Sequence, residues 1–308
     1  MATVFLDGSM VEAADARISA FDAGFQHGVG LFETMTGGVD GGGTPWVLHL
    51  EEHLERLAGS ATELGLVSTL RLADLADAVL RTVERENLSK VRVRLTISGG
   101  DLNLLSRAAA DGPGREVHPT LMIVAQPATE YPDAMFTSGV MVVLADWKAN
   151  PLDPFCGHKT LNYWPRLREL RAAAGKGAAE ALVFQVTNHL AGGCVSNAIL
   201  ISKGRALTPM ARGEEPTGGG VAVPSPVLPG VTREWALEWL GSRRMAVERR
   251  LVTIEDVLAA DEVLLTNSSW GVLPVVRVEG HMIGKGAVGE IGRQMTGAWN
   301  QALLAAGS

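Results

Sequence analysis

The chain has 308 residues, 46% of them hydrophobic, with 27 Lys+Arg against 34 Asp+Glu and a formal charge of −7. At about 150 residues per domain, this length suits one large or two ordinary domains. The acidic balance argues against duplex DNA as a partner. Two cysteines make neither a disulfide framework nor a Cys-rich zinc site, and no apolar run is long enough to cross a bilayer.

Residues Met1–Asp7 lack a basic n-region and meet an acid at once, so no signal peptide is expected and a cytoplasmic location is. Short strands with turns are predicted over residues 1–36, with Leu6-Asp7-Gly8 as a turn and Phe32–Met35 alternating. The glycine-rich run Gly37–Gly43 reads as a hairpin or loop tip. Leu50, Leu54, Leu57, Ala61 and Leu64 recur at helical spacing, stopped by Gly65, and a second helix fits Leu72 to Val83. Val91–Ile97 alternates as a half-buried strand, and Leu121–Ala125 is another.

Pro127 and Pro132 mark a linker over 127–136, dividing a small domain, 1–126, from a large one, 137–308. In the second part, strands are predicted at Val140–Ala145, Ala181–Val186, Ala198–Ser202 and Glu262–Thr266. Helices are predicted over about 162–174 with Gly175 as cap, from Val231, and over 291–305. A loop is expected over Gly213–Gly230. Mixed strands and helices in both halves predict an α/β (mixed α+β) protein.

Local motifs are few. The glycine run lacks G-K-[ST], so it is no P-loop, and no G-x-S-x-G elbow occurs. His49-Leu-Glu-Glu52-His53 matches H-x-x-E-H, whose histidines would chelate zinc if a third ligand joined them. The alternative is an amphipathic helix with two surface histidines, and no metal is expected. Cys156 and His158, two residues apart, make only a weak His/Cys pairing, and Cys194 reads as a small packed residue.

Four segments together carry more. They are Phe21–Thr34, with Gly24, His27, Gly28 and Gly30; Glu52–Leu57 with Ser60; His158-Lys159-Thr-Leu-Asn162-Tyr163; and Leu228-Pro-Gly230-Val231-Thr232-Arg233 followed by Thr266–Ser269. In this order and spacing the chain resembles the class IV aminotransferases. These are fold-type IV pyridoxal-phosphate enzymes that include branched-chain and D-amino-acid aminotransferases and aminodeoxychorismate lyase. The resemblance covers nearly the whole chain. It implies a two-domain fold, a homodimer, pyridoxal 5′-phosphate as cofactor, and a transaminase taking an amino donor and a keto acid acceptor. An aminodeoxychorismate-type lyase, or a cofactor-binding protein with little turnover, is the alternative.

Residue by residue, the resemblance makes Lys159 the catalytic Schiff-base lysine. It gives the phosphate to Arg56, Val231, Thr232 and Ser268, and the ring hydroxyl to Tyr163. Gly192 and Asn197 also fall in the cofactor-binding set. A helix start after Pro-Gly suits phosphate physically, since its first N–H groups and its dipole attract anions. His27, Arg94, Ser269 and Trp270 are candidate substrate residues. Arg94 shares a strand face with Arg92, and solvation of both is the alternative.

Two departures from the family pattern stand out. Gly192 occupies the place of the glutamate that pairs with the cofactor's ring nitrogen, and the adjacent run Asn188–Ala191 offers no acid. A neutral partner, water or none is expected there, which makes the ring a weaker electron sink. His27 stands for a tyrosine and Val29 for an aspartate, which leaves substrate choice open. His27 would titrate near neutrality or serve as a structural histidine.

Overall fold

The computed structural model describes residues 3–101, 118–216 and 223–308. The first two residues of the expected leaderless terminus, and residues 217–222 of the expected Gly213–Gly230 loop, lie outside them. Two contact-dense units divide the chain. The first comprises Met1–Thr129, Lys159–Asn162 and Ala305–Ser308, and the second Glu130–His158 and Tyr163–Leu304.

In the first unit, β1 (Thr3–Leu6) and β2 (Ser9–Glu12) are joined by Asp7 and Gly8. Both have positive φ, 46° and 90°, the geometry that matches a two-residue turn to strand twist. The short helix α1 (Ala23–His27) is capped by Asp22, which accepts from the Gly24 N–H. Then follow β3 (Gly30–Val39), β4 (Pro45–Val47), α2 (Leu50–Glu63), α3 (Leu72–Glu86), β5 (Val91–Ser98) and β6 (Leu121–Pro127). The sheet order is β2-β1-β6-β5-β3-β4, antiparallel throughout.

Its core follows from the spacings. Leu54, Leu57 and Ala61 of α2 and Leu75, Val79 and Val83 of α3 lie on one face of each helix. They close over Met35, Val93, Leu95 and Ile123 of the sheet. Burying each such leucine is worth roughly 1.5–3 kcal/mol. The glycine run departs from its expected loop. β3 continues through Gly37 and Gly38, paired with Val47 and Trp46, and the tip is Asp40–Thr44. A Cβ on Gly38 would strike the Ser89 carbonyl, so this glycine serves close backbone approach, not a turn.

The second unit contains α4 (Ala134–Thr137), β7 (Val140–Ala149), α5 (Trp164–Gly175), β8 (Glu180–Gln185), β9 (Leu190–Gly193), β10 (Asn197–Ser202) and β11 (Arg205–Pro209). It continues with α6 (Val231–Ser242), β12 (Ala246–Arg250), α7 (Ile254–Leu258), β13 (Glu262–Asn267), β14 (Gly271–Val278), β15 (His281–Met282) and α8 (Glu290–Ala306). The strand order is β12-β11-β10-β13-β14-β7-β8-β9, with β15 on β14. β7 runs parallel to both neighbours, and β8 is buried at every position, as expected of strands covered on both faces. The stop of α5 lies beyond the expected Gly175. Gly177 is the left-handed residue, φ 72°, and Gly175 stays helical. The fold is mixed α+β, and no helix among the described residues is long and apolar enough to cross a membrane.

Candidate active site

β3 presents two different faces. Glu33 points into the helix side, where His53 and Arg56 share a face of α2 three residues apart. Arg56 Nε donates to Glu33 Oε1 at 2.9 Å and its Nη2 to Oε2 at 2.6 Å; His53 Nδ1 lies 2.8 Å from Oε2. Burial opposes the Glu33 charge, but Arg56 and His53 outweigh it and hold the carboxyl down at about 2. Burial, partly offset by Glu33, lowers His53, so the imidazole is neutral near pH 7 and Nδ1 carries the proton it donates.

This corrects the view of two surface histidines: His53 is buried and only His49 is partly exposed. His49 is the N-cap of α2, with φ 54°, and its carbonyl accepts from the His53 N–H at 3.2 Å. No group of three or more His, Cys, Asp or Glu is placed to hold a metal among the described residues.

The other face of β3 carries Phe32. Lys159 Nζ lies 4.4 Å from its ring centroid and Arg94 Cζ 3.7 Å, distances at which a cation is attracted to an aromatic face. The Lys159 backbone is fixed. Phe32 N–H donates to Lys159 O, and Leu161 N–H to Gly30 O, both at 2.9 Å. Glycine at position 30 leaves room for this docking: a Cβ there would lie 2.5 Å from Ile97 O and 2.7 Å from Leu161 Cδ1. His27 ends α1, exposed.

In the second unit, α6 starts at Val231, with Gly230 as an N-cap bringing no side chain to its first N–H groups. Those groups have no acceptor within a helix. The Thr232 and Ser268 hydroxyls lie 3.4 Å apart beside them. Asn197 donates from Nδ2 to Leu228 O at 2.9 Å, and a Cβ on Gly230 would strike its Oδ1. Asn197 thus sets the approach to α6. Asn267 accepts from the Ser269 and Trp270 N–H groups and donates to Val195 O. Trp270 packs edge-on against Tyr131 at 5.8 Å. Hydroxyls, an uncapped helix start and glycine at the approach form a donor set that fits a phosphate ester.

Gly192 sits in β9 at φ 132°, beside a register shift against β8. A Cβ there would lie 2.8 Å from Ser196 O, so more than a side chain is missing: the backbone itself suits glycine. An acid does approach, from the neighbouring strand. Buried Glu180 accepts from the N–H groups of Ala181, Cys194 and Val195 and from the Ser196 hydroxyl, at 3.0–3.2 Å. Burial raises its pKa against those bonds. Opposite in sign, Arg166 Nη1 donates to the carbonyls of Gly193 and Cys194 at 3.3 and 3.0 Å. Burial, then Glu180, pushes the Cys194 thiol up to about 12, which leaves it a packed thiol and no nucleophile. Sequence reasoning missed Glu33, Glu180 and Arg166. Glu33 meets partners 20 and 23 residues away, Glu180 meets Ala181 and three groups 14 to 16 residues on, and Arg166 meets carbonyls 27 and 28 residues on.

The amino-transferase class IV family matches residues 30–278. A putative branched-chain-amino-acid aminotransferase of Methanocaldococcus jannaschii is 27% identical over 95% of this chain and 93% of its own length. Among solved structures, the Escherichia coli branched-chain amino acid aminotransferase superposes with a TM-score of 0.83 at 22% identity, covering 97% of this chain and 94% of that one. The 4-amino-4-deoxychorismate lyase of Pseudomonas aeruginosa superposes at 0.77 and 25% identity, covering 97% and 98%. The fold is that of the fold-type IV pyridoxal-phosphate enzymes. The chain belongs to the class IV aminotransferase family, whose members use pyridoxal phosphate.

Proposed function

We propose that this protein is a pyridoxal-phosphate aminotransferase with Lys159 as its catalytic residue, exchanging the amino group of an α-amino acid or related amine with a keto acid. The observation that carries the reading is the placement of Lys159. Two backbone hydrogen bonds pin its segment to β3, and its amine lies over the Phe32 ring that the Arg94 guanidinium also contacts. The cofactor, when bound, supplies an aldehyde for the amino group and a conjugated ring that accepts charge from the substrate α-carbon. Lys159 Nζ would hold it through the aldehyde carbon and, once the substrate amine has displaced it there, would be free to take the α-proton and return it one position along.

The N–H groups of Val231 and Thr232 and the hydroxyls of Thr232 and Ser268 bind the phosphate. Arg56 adds donors whose direction Glu33 sets. Tyr163 contacts the ring hydroxyl. Arg94, held on Phe32 by its flat face, suits a substrate carboxylate, and His27, Ser269 and Trp270 complete the substrate set. A homodimer accords with exposed aromatics, Phe25 and Trp164 each 78% accessible in the single chain. A cytoplasmic location accords with two free cysteines.

Purified protein loaded with pyridoxal phosphate should be yellow, and borohydride should leave a pyridoxyl group on the peptide containing Lys159. Colourless protein that cannot be loaded overturns the reading. The lyase neighbour supports a second reading. Pyruvate release without any keto acid acceptor would select it over transamination.

A further inference from the structure

We propose that Arg166, in place of an acid, donates a hydrogen bond to the cofactor's ring nitrogen and keeps that nitrogen unprotonated. This rests on the cofactor reading above. Position 192, where the family places its acid, offers only a glycine whose φ of 132° and closeness to Ser196 O disfavour any side chain. Two charged side chains reach the turn that follows. Glu180 is committed: its two oxygens already accept four hydrogen bonds, and it is fully buried behind the turn.

Arg166 is in the opposite condition. Its hydrogen bonds within the described residues are those of Nη1 to the Gly193 and Cys194 carbonyls. A guanidinium has five N–H donors, so Nε and Nη2 retain donors for a ligand. No carboxylate lies within ion-pair distance of it among the described residues, although it is half-buried. A partly desolvated cation calls for an acceptor. The side chain is also aimed. It lies 5.7 Å from the ring of Tyr163, the residue assigned to the cofactor's ring hydroxyl, and 5.4 Å from that of Trp147. Tyr163 and Arg166 are three residues apart at the start of α5, a spacing that puts both on one side of the helix.

The chemical consequence follows from the sign. A carboxylate accepts a proton bond and stabilises a protonated ring nitrogen. A guanidinium stays charged and only donates, so an acceptor nitrogen facing it stays neutral. The ring then takes up less charge from the α-carbon, and direct proton movement by Lys159 matters more.

The test is the nitrogen-15 NMR shift of protein loaded with ring-labelled pyridoxal phosphate at neutral pH, read on wild type, Arg166→Gln and Arg166→Glu. Wild type should read as a neutral, hydrogen-bonded pyridine. Arg166→Gln should move the signal towards a free pyridine, and Arg166→Glu should move it to the pyridinium range. A pyridinium signal in wild type, or one that neither variant moves, overturns the proposal while leaving the cofactor reading intact. Failure to load, with no pyridoxyl group on Lys159, overturns both. The wild-type spectrum needs no variant to fold. If either variant misfolds, Arg166→Met, which removes every donor, replaces it, and an unmoved shift there also counts against Arg166.

Discussion

Two buried carboxylates, one in each unit, are stabilised in contrasting ways. Glu33 on β3 meets full charge: Arg56 bonds both its oxygens and His53 bonds one. Glu180 on β8 meets only dipoles, three backbone N–H groups and a hydroxyl. Burial pushes both carboxyls up. Charge pairing reverses that push for Glu33, down to about 2, while hydrogen bonding alone does not for Glu180, which stays raised. The contrast matches what each does. Glu33 orients a cation that is assigned to an anionic ligand, so its own charge must be permanent. Glu180 holds the shape of a turn, for which accepting bonds is enough.

The largest test of this contrast is Glu33→Gln. It leaves the Arg56 charge without its buried counterpart, an imbalance that typically costs roughly 3–5 kcal/mol. Urea unfolding should show that loss, together with weaker cofactor binding. A loss under about 1 kcal/mol, the range of a surface pair, would mean the pair is solvated.

Acid titration comes next. The folded Glu33 pKa lies below the unfolded value of 4.5, so its stabilisation is present above 4.5 and is lost as pH falls towards about 2. The full shift corresponds to roughly 3 kcal/mol. Glu180 has the opposite sign. Its raised folded pKa gives stabilisation that is complete below 4.5 and is lost as pH rises through the folded value. Stability measured against pH for wild type, Glu33→Gln and Glu180→Gln should therefore separate two opposed slopes, and parallel curves would contradict the contrast.

Glu180→Gln should cost about 1–3 kcal/mol, since an amide turns an NH2 towards donors and strands at least one of them. The smallest effect is expected of Gly192→Ala, a loss of about 1 kcal/mol, because alanine tolerates a positive φ poorly. Equal or higher stability in that variant would show that the turn is free to relax.

Much of the fold was legible in residue order. α2, α3 and α6 lie where period and caps put them, because each buries one continuous stripe. β5 was legible because its faces alternate strictly, with Val91, Val93 and Leu95 fully buried. β8 hid its ends because every position is buried, and β14 was missed because Pro274 interrupts an otherwise apolar run. The candidate site divides in the same way. Lys159, Thr232 and Ser268 were named from ordered motifs, and the structure shows Lys159 docked on β3 and the two hydroxyls adjacent.

The sequence by itself determined the family pattern, the helix that opens at Val231 and the absence of an acid at position 192. Each is read from short runs of consecutive residues and their order along the chain. Only the tertiary structure decided what surrounds that glycine. It brings Glu180 from the neighbouring strand to the N–H side of the turn and Arg166 from a preceding helix to its carbonyl side. It also buries His53 against Glu33, where the motif alone left a metal ligand or a surface residue open. Those choices depend on strand pairing and desolvation, which join groups far apart in sequence and set which charges survive.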